Sequence, residues 1–250
     1  MSTYRIENCA GSAESARRAE LGGAYRVKLC AGLPEGGTTP SYGEILTARR
    51  AISIKLNVII RPRSGDFLYT PIEVEAMLAD IRMARELGAD GIVVGCLTAD
   101  GAVDKPLLRR FVEAAEGLPV TFHRAIDVCQ DRAQALEDII EAGCARVLTS
   151  GGAASAPEGA DAIAALVKQA ADRIIIMPGA GVTPENVADL ARKTGAREFH
   201  FSGRTAEPSP MRYRHEGVSM GGTVTIDEYA YLFTDPKKIR QAVEALQALE

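Results

Sequence analysis

Residues 120–127 read Val-Thr-Phe-His-Arg-Ala-Ile-Asp. A short apolar run after Pro119 ends abruptly in His123, Arg124 and, three residues on, Asp127, and a helix starts near Asp131. This is the pattern of a buried strand that carries titratable groups into a loop. Other strand ends carry similar groups: Glu7, Lys28, Cys30, Arg61, Arg63, Ser150, His200 and Ser202. His123 and His200 are suited to general acid–base work, with Asp127 and Glu7 as carboxylates at the same end. Lys28, once desolvated, is a candidate Schiff-base nucleophile. The structural alternative for Glu7 and Lys28 is an internal ion pair, and for each histidine a hydrogen-bonded strand-end position.

Cations outnumber carboxylates in this set, which favours an anionic ligand. Arg61, Arg63 and Arg124 supply guanidinium forks for phosphate or carboxylate. Three strands end in Ser150-Gly151-Gly152, Pro178-Gly179-Ala180-Gly181 and Ser202-Gly203-Arg204. Glycines such as Gly151, Gly179 and Gly181 let backbone N–H groups approach an oxyanion, and barrel phosphate sites follow strands seven and eight. Metal chemistry is the other class. Cys9 and Cys30 end adjacent strands with matching parity, and Cys96 and Cys129 lie just past two later ones; soft thiolates suit Cu(I) or Zn. No compact Cys/His motif accompanies them. Cys144 falls at the opposite strand end, as a packing residue. Met211 and Met220 are soft ligands or packing residues of the long tail.

The elements that must position these residues alternate regularly. Strands are expected at 4–9, 25–30, 54–60, 90–94, 119–123, 145–149, 173–177 and 197–201. Helices are expected at about 12–22, 41–51, 71–87, 105–115, 131–142, 159–171 and 184–193, with a last one at 236–249. Strand–helix alternation at this spacing implies right-handed βαβ units in a parallel sheet. Eight repeats close a single-domain (β/α)₈ TIM barrel, with an irregular segment at about 203–233 before the last helix. The Cys9-Ala-Gly-Ser-Ala-Glu turn lacks the glycine fingerprint of an open dinucleotide-binding sheet.

Side-chain parity supports closure. Arg5, Glu7 and Cys9 share one face, as do Arg26, Lys28 and Cys30, then Lys55, Asn57 and Arg61, then Thr121 and His123, then Glu198, His200 and Ser202. The opposite parity is apolar, as a helix-covered outer face requires. A polar inner face points to a pocket at the C-terminal strand ends.

The chain has 250 residues, 46% hydrophobic and 25% charged, with a net charge of −4. That length matches one barrel. The charge and the lack of a basic block argue against nucleic-acid binding. No run approaches a membrane span or a signal-peptide core, so no membrane partner is expected. Five scattered cysteines with no Cys-x-x-Cys pair read as reduced thiols of a cytoplasmic protein.

The strand tips together resemble one family. Leu29-Cys-Ala-Gly-Leu-Pro-Glu-Gly-Gly-Thr-Thr-Pro-Ser41, Ile60-Arg-Pro-Arg-Ser-Gly-Asp-Phe-Leu-Tyr69, Thr121-Phe-His-Arg-Ala-Ile-Asp127, Val147-Leu-Thr-Ser-Gly151, Ile176-Met-Pro-Gly-Ala-Gly181, Glu198-Phe-His200 and Pro210-Met-Arg-Tyr-Arg214 resemble the CutC family of copper homeostasis proteins over essentially the whole chain. The resemblance implies a cytoplasmic, homo-oligomeric barrel tied to copper tolerance, with Cu(I) held through cysteine. Cys30 stands at the motif cysteine and is carried over as the metal ligand, with Cys9 as the candidate second one. The chain departs from the family where Lys28 replaces an acidic residue and Tyr25 replaces the common Asp. A cation beside Cys30 lowers its thiol pKa and repels a bound cation. Two readings stay open beside direct copper binding. One is a barrel enzyme on a small phosphorylated or carboxylated metabolite, with an indirect copper role. The other is a carrier without turnover.

Overall fold

The computed structural model describes residues 3–215, 217, 218, 220 and 226–250. Eight parallel strands follow one another round a barrel: β1 (Arg5–Ala10), β2 (Arg26–Leu29), β3 (Lys55–Ile59), β4 (Gly91–Val94), β5 (Val120–Phe122), β6 (Arg146–Thr149), β7 (Ile175–Pro178) and β8 (Glu198–Phe201). Each pairs with its sequence neighbour, and β1 also pairs with β8. The ring closes between β7 and β8 through a single parallel bridge, Gly179 to His200.

The helices are α1 (Ala13–Leu21), α2 (Tyr42–Ala51), α3 (Pro71–Glu86), α4 (Lys105–Ala114), α5 (Arg132–Glu141), α6 (Ala160–Ala170), α7 (Val187–Thr194) and α8 (Pro236–Gln247). Local chemistry sets their starts. Ser12, Ser41 and Asp131 each accept a backbone N–H of the first turn. Thr70 and Glu73 form a reciprocal capping box ahead of Pro71. Helix α3 ends at Gly88, whose φ of 84° few other residues adopt.

Two expected starts move by more than one residue. Helix α7 begins after Pro184 because Asn186 is engaged elsewhere. Its Oδ1 accepts the Thr183 N–H at 2.9 Å and its Nδ2 donates to the Gly181 carbonyl at 2.8 Å, a local alternative to the helical turn. Strand β7 begins after Arg173, which caps α6 by donating to the Ala170 carbonyl and pairs with Glu137.

The segment expected to be irregular contains a two-stranded antiparallel hairpin among its described residues, β9 (Arg204–Pro208) with β10 (Ala230–Thr234). Its pairing is between strands far apart in sequence, which period alone does not reveal.

The outer strand faces and the helices share one apolar core, with Ile6, Val27, Leu56, Ile92, Phe122, Val147, Ile176 and Phe199 among its members. The interior is different. Cys30, Ile59 and Val93 form a small apolar group with Cys9 and Leu33 packed on it, Leu148 lines the cavity and Met177 meets Arg26, and charged and polar side chains supply much of the remaining inner face. Parity thus sorts the strands as expected.

Candidate functional site

The lower interior is sealed by ions. Arg26 donates to Glu7 through Nε and to Glu198 through Nη2 at 2.7 Å. Arg146 donates to Glu198 at 2.6 Å and to the Thr121 hydroxyl at 3.2 Å. All five residues are buried. Burial alone would raise the Glu7 and Glu198 carboxyls, but Arg26 and Arg146 outweigh it and hold both below the usual carboxylate range. Glu7 therefore pairs with Arg26, the residue opposite it in register, and not with Lys28. Arg146 was not singled out in the sequence, although alternation along β6 puts it on the inner face.

Above this plug lies a cavity of about 310 Å³ at the C-terminal strand ends. Six of its lining residues matter for chemistry: Cys9, Lys28, Arg61, His123, Arg124 and His200. No aspartate or glutamate lines it among the described residues.

The Cys9 and Cys30 sulfurs are 3.9 Å apart. Cys9 is half-buried and faces the cavity, whereas Cys30 is buried behind it. Sharing a hydrogen bond with Cys30, and with the Lys28 ammonium beside it, lowers the Cys9 thiol. The same hydrogen bond and its own burial raise Cys30. Burial would strip the Lys28 proton, but the two thiol groups and Glu7 outweigh it and keep Lys28 protonated, which favours a counter-ion over a nucleophile.

His200 binds Glu7 through Nδ1 at 2.8 Å. Burial and Lys28 work against its protonation, yet Cys9 and Glu7 raise its pKa above the usual histidine value. His123 behaves in the opposite way. Burial, then Lys28 and Arg61, push it down to about 3. Its Nδ1 accepts the Ala125 N–H at 3.2 Å, and its Nε2 is buried with no partner among the described residues. The Phe67 ring lies 4.9 Å from the His123 ring and 5.1 Å from the Arg61 guanidinium carbon. Phe67 sits in a loop and carries no sequence signal for this role.

Other expected site residues go elsewhere. Arg63 faces out, bound to Glu73 at 2.5 Å and Asp66 at 3.0 Å. Asp127 accepts from Thr149 at 2.5 Å, from the Ser150 and Gly152 backbone and from Arg124 at 2.8 Å. It clamps two strand tips together and does not line the cavity. Ser150 is held in that clamp, bonded to Asp127 and Arg124. Gly151 is pressed on Gly159, and Gly179 on Leu148 and His200, so both serve close approach of chain segments. Gly181 and Ser202 do line the cavity, together with Arg204.

The profile of the CutC family matches residues 4–205. The chain belongs to the CutC family. A CutC family protein of Bacteroides thetaiotaomicron is 55% identical over 249 residues, covering 99% of this chain and all of the relative. A human relative named copper homeostasis protein cutC homolog is 47% identical over 237 residues, covering 95% of this chain and 87% of its own. The crystal structure of CutC from Streptococcus agalactiae superposes with a TM-score of 0.77 at 36% identity, over 80% of this chain and 98% of that one.

Proposed function

We propose that this CutC family protein serves copper homeostasis in the cytoplasm, as a homo-oligomer, by holding Cu(I) between Cys9 and Cys30. The observation that supports this most is the pair of thiol sulfurs 3.9 Å apart, one of them open to the cavity. The donor set fits a soft monovalent ion. Zinc sites take four ligands, or three and a water, and no group of three or more His, Cys, Asp or Glu residues poised for a metal exists among the described residues. Two thiolates are a sufficient soft set for Cu(I). Such a bis-thiolate site carries a net negative charge, and the Lys28 ammonium is placed to balance it.

The test is an anaerobic Cu(I) titration of reduced protein against a chromophoric competitor. Roughly stoichiometric binding is expected in the parent, with loss in both Cys30→Ala and Cys9→Ala. Binding that survives in the double variant would sink the reading.

One observation favours a second reading, a small phosphorylated or carboxylated metabolite as ligand or substrate. Lys28 and Arg61 are buried at the cavity with no carboxylate at ion-pair distance among the described residues. The carboxylate that acts on Lys28, Glu7, is committed to Arg26 and His200.

A further inference from the structure

The cavity lining presents cations and hydrogen-bond donors with no carboxylate among the described residues. Lys28 offers an ammonium, which can only donate. Arg61 is fixed from behind: its Nη1 donates to the Glu35 and Gly37 carbonyls at 3.2 and 3.1 Å, and its Nη2 to the Gly65 carbonyl at 2.8 Å. Backbone carbonyls hold this guanidinium in place without neutralising it. His123 completes the set. Because its Nδ1 accepts a backbone N–H, its ring proton sits on Nε2. That N–H is buried and without a partner among the described residues. An unmet buried donor is costly, so a ligand atom is the natural acceptor.

From this geometry we infer that Lys28, Arg61 and the neutral His123 Nε2–H together bind one small oxyanion, a carboxylate or a phosphate group. The inference rests on the second reading above and names the atoms that would carry it. Two cations supply the charge, and the imidazole supplies a directional donor. His123 in this tautomer offers no lone pair at Nε2 to a metal, which separates the anion site from the thiol pair. A volume of about 310 Å³ suits a ligand of metabolite size. Arg63 is the internal contrast, a surface arginine of the same loop already paired with Glu73 and Asp66.

The experiment is isothermal titration of copper-free, reduced, full-length protein with pyruvate, glycerol 3-phosphate and inorganic phosphate, with glycerol as an uncharged control. At least one anion binds saturably and glycerol does not. Pyruvate against the two phosphates decides which oxyanion the site takes. Lys28→Met and Arg61→Met each weaken that anion by tenfold or more, His123→Asn weakens it by several-fold, and Arg63→Met leaves it unchanged. Circular dichroism verifies folding, and Lys28→Gln replaces Lys28→Met if the latter does not fold. No binding of any of the three anions overturns both the inference and the second reading. Binding lost in Lys28→Met and Arg61→Met but indifferent to His123→Asn overturns the three-donor site and leaves the second reading standing. Equal weakening by Arg63→Met assigns the anion to the surface and overturns the inference.

Discussion

At the scale of single residues, the two histidines of the cavity show how neighbours divide one chemistry. His200 has a carboxylate on Nδ1 and is driven towards its charged form. His123 has a backbone N–H on Nδ1 and is driven to its neutral form. The second shift has a consequence for stability. An unfolded chain protonates His123 near 6.5, whereas the folded chain resists until about 3. Between those values the unfolded state binds the extra proton, so His123 costs stability as pH falls through that window. His200 carries the opposite sign, contributing stability that fades as pH rises through its raised folded pKa. Comparison with His123→Asn isolates the first effect. Urea midpoints of parent and variant at about pH 7 and about pH 4.5 should show the parent losing roughly 1–3 kcal/mol relative to the variant on acidification. A constant gap would contradict a neutral buried His123.

At the scale of elements, the sixth strand–helix unit depends on the close approach of its strand tip to the helix that follows. The tip of β6 is the tightest case. A Cβ added at Gly159 would lie 1.9 Å from the Ser150 carbonyl oxygen and 3.2 Å from the Gly151 Cα. Both are backbone, so neither yields by a rotamer change. Ser150 is itself tied to Asp127, which holds the loop after β5. Gly159→Ala should therefore destabilise by about 1–3 kcal/mol or more through overpacking. It should also loosen the Arg124–Ser150 contact beside the cavity. A chemical denaturation curve measures the first effect. An unchanged midpoint would mean that α6 can shift away from β6 at no expense.

At the scale of the whole molecule, the hairpin β9–β10 ties the eighth strand back to the first unit. Asn8, fully buried in β1, donates to the Phe201 and Ser202 carbonyls at 3.2 and 2.8 Å and accepts from the Thr234 hydroxyl at 3.1 Å. The Thr234 N–H donates to Ser15 on α1, and Arg18 of α1 binds Glu207 and stacks over Phe233. Asn8→Ala removes the central connection and its three hydrogen bonds, a loss on the order of 2 kcal/mol. Hydrogen exchange of the Ala230–Thr234 amides should speed up roughly tenfold or more, beyond the change in strands opposite the seam such as β4. Uniform acceleration across all strands would show only global destabilisation. The molecule also concentrates charge. With a net charge of −4 overall, it still lines its cavity with Lys28, Arg61, Arg124 and Arg204 and no carboxylate among the described residues. Such a cleft focuses positive potential despite the sign of the whole.

The repeat of short apolar runs and amphipathic helices already determined the barrel, because period and parity are local properties. A period of two on the strands placed Glu7, Lys28, Cys9 and His200 inside, and Asp131 marked the start of a helix. The family resemblance singled out Cys30, and strand parity set Cys9 at the end of the adjacent strand. What sequence could not decide was which inner groups touch. Register, not proximity along the chain, put Arg26 opposite Glu7 and left Lys28 beside the thiols. Loop paths, not residue type, turned Arg63 outward to Glu73 while Arg61, two residues earlier, entered the cavity. A hydrogen bond from the Ala125 backbone set the His123 proton on Nε2. Each of these depends on segments distant in the chain or on the local backbone course, and only folding brings such partners within the few ångströms over which ion pairs and hydrogen bonds act.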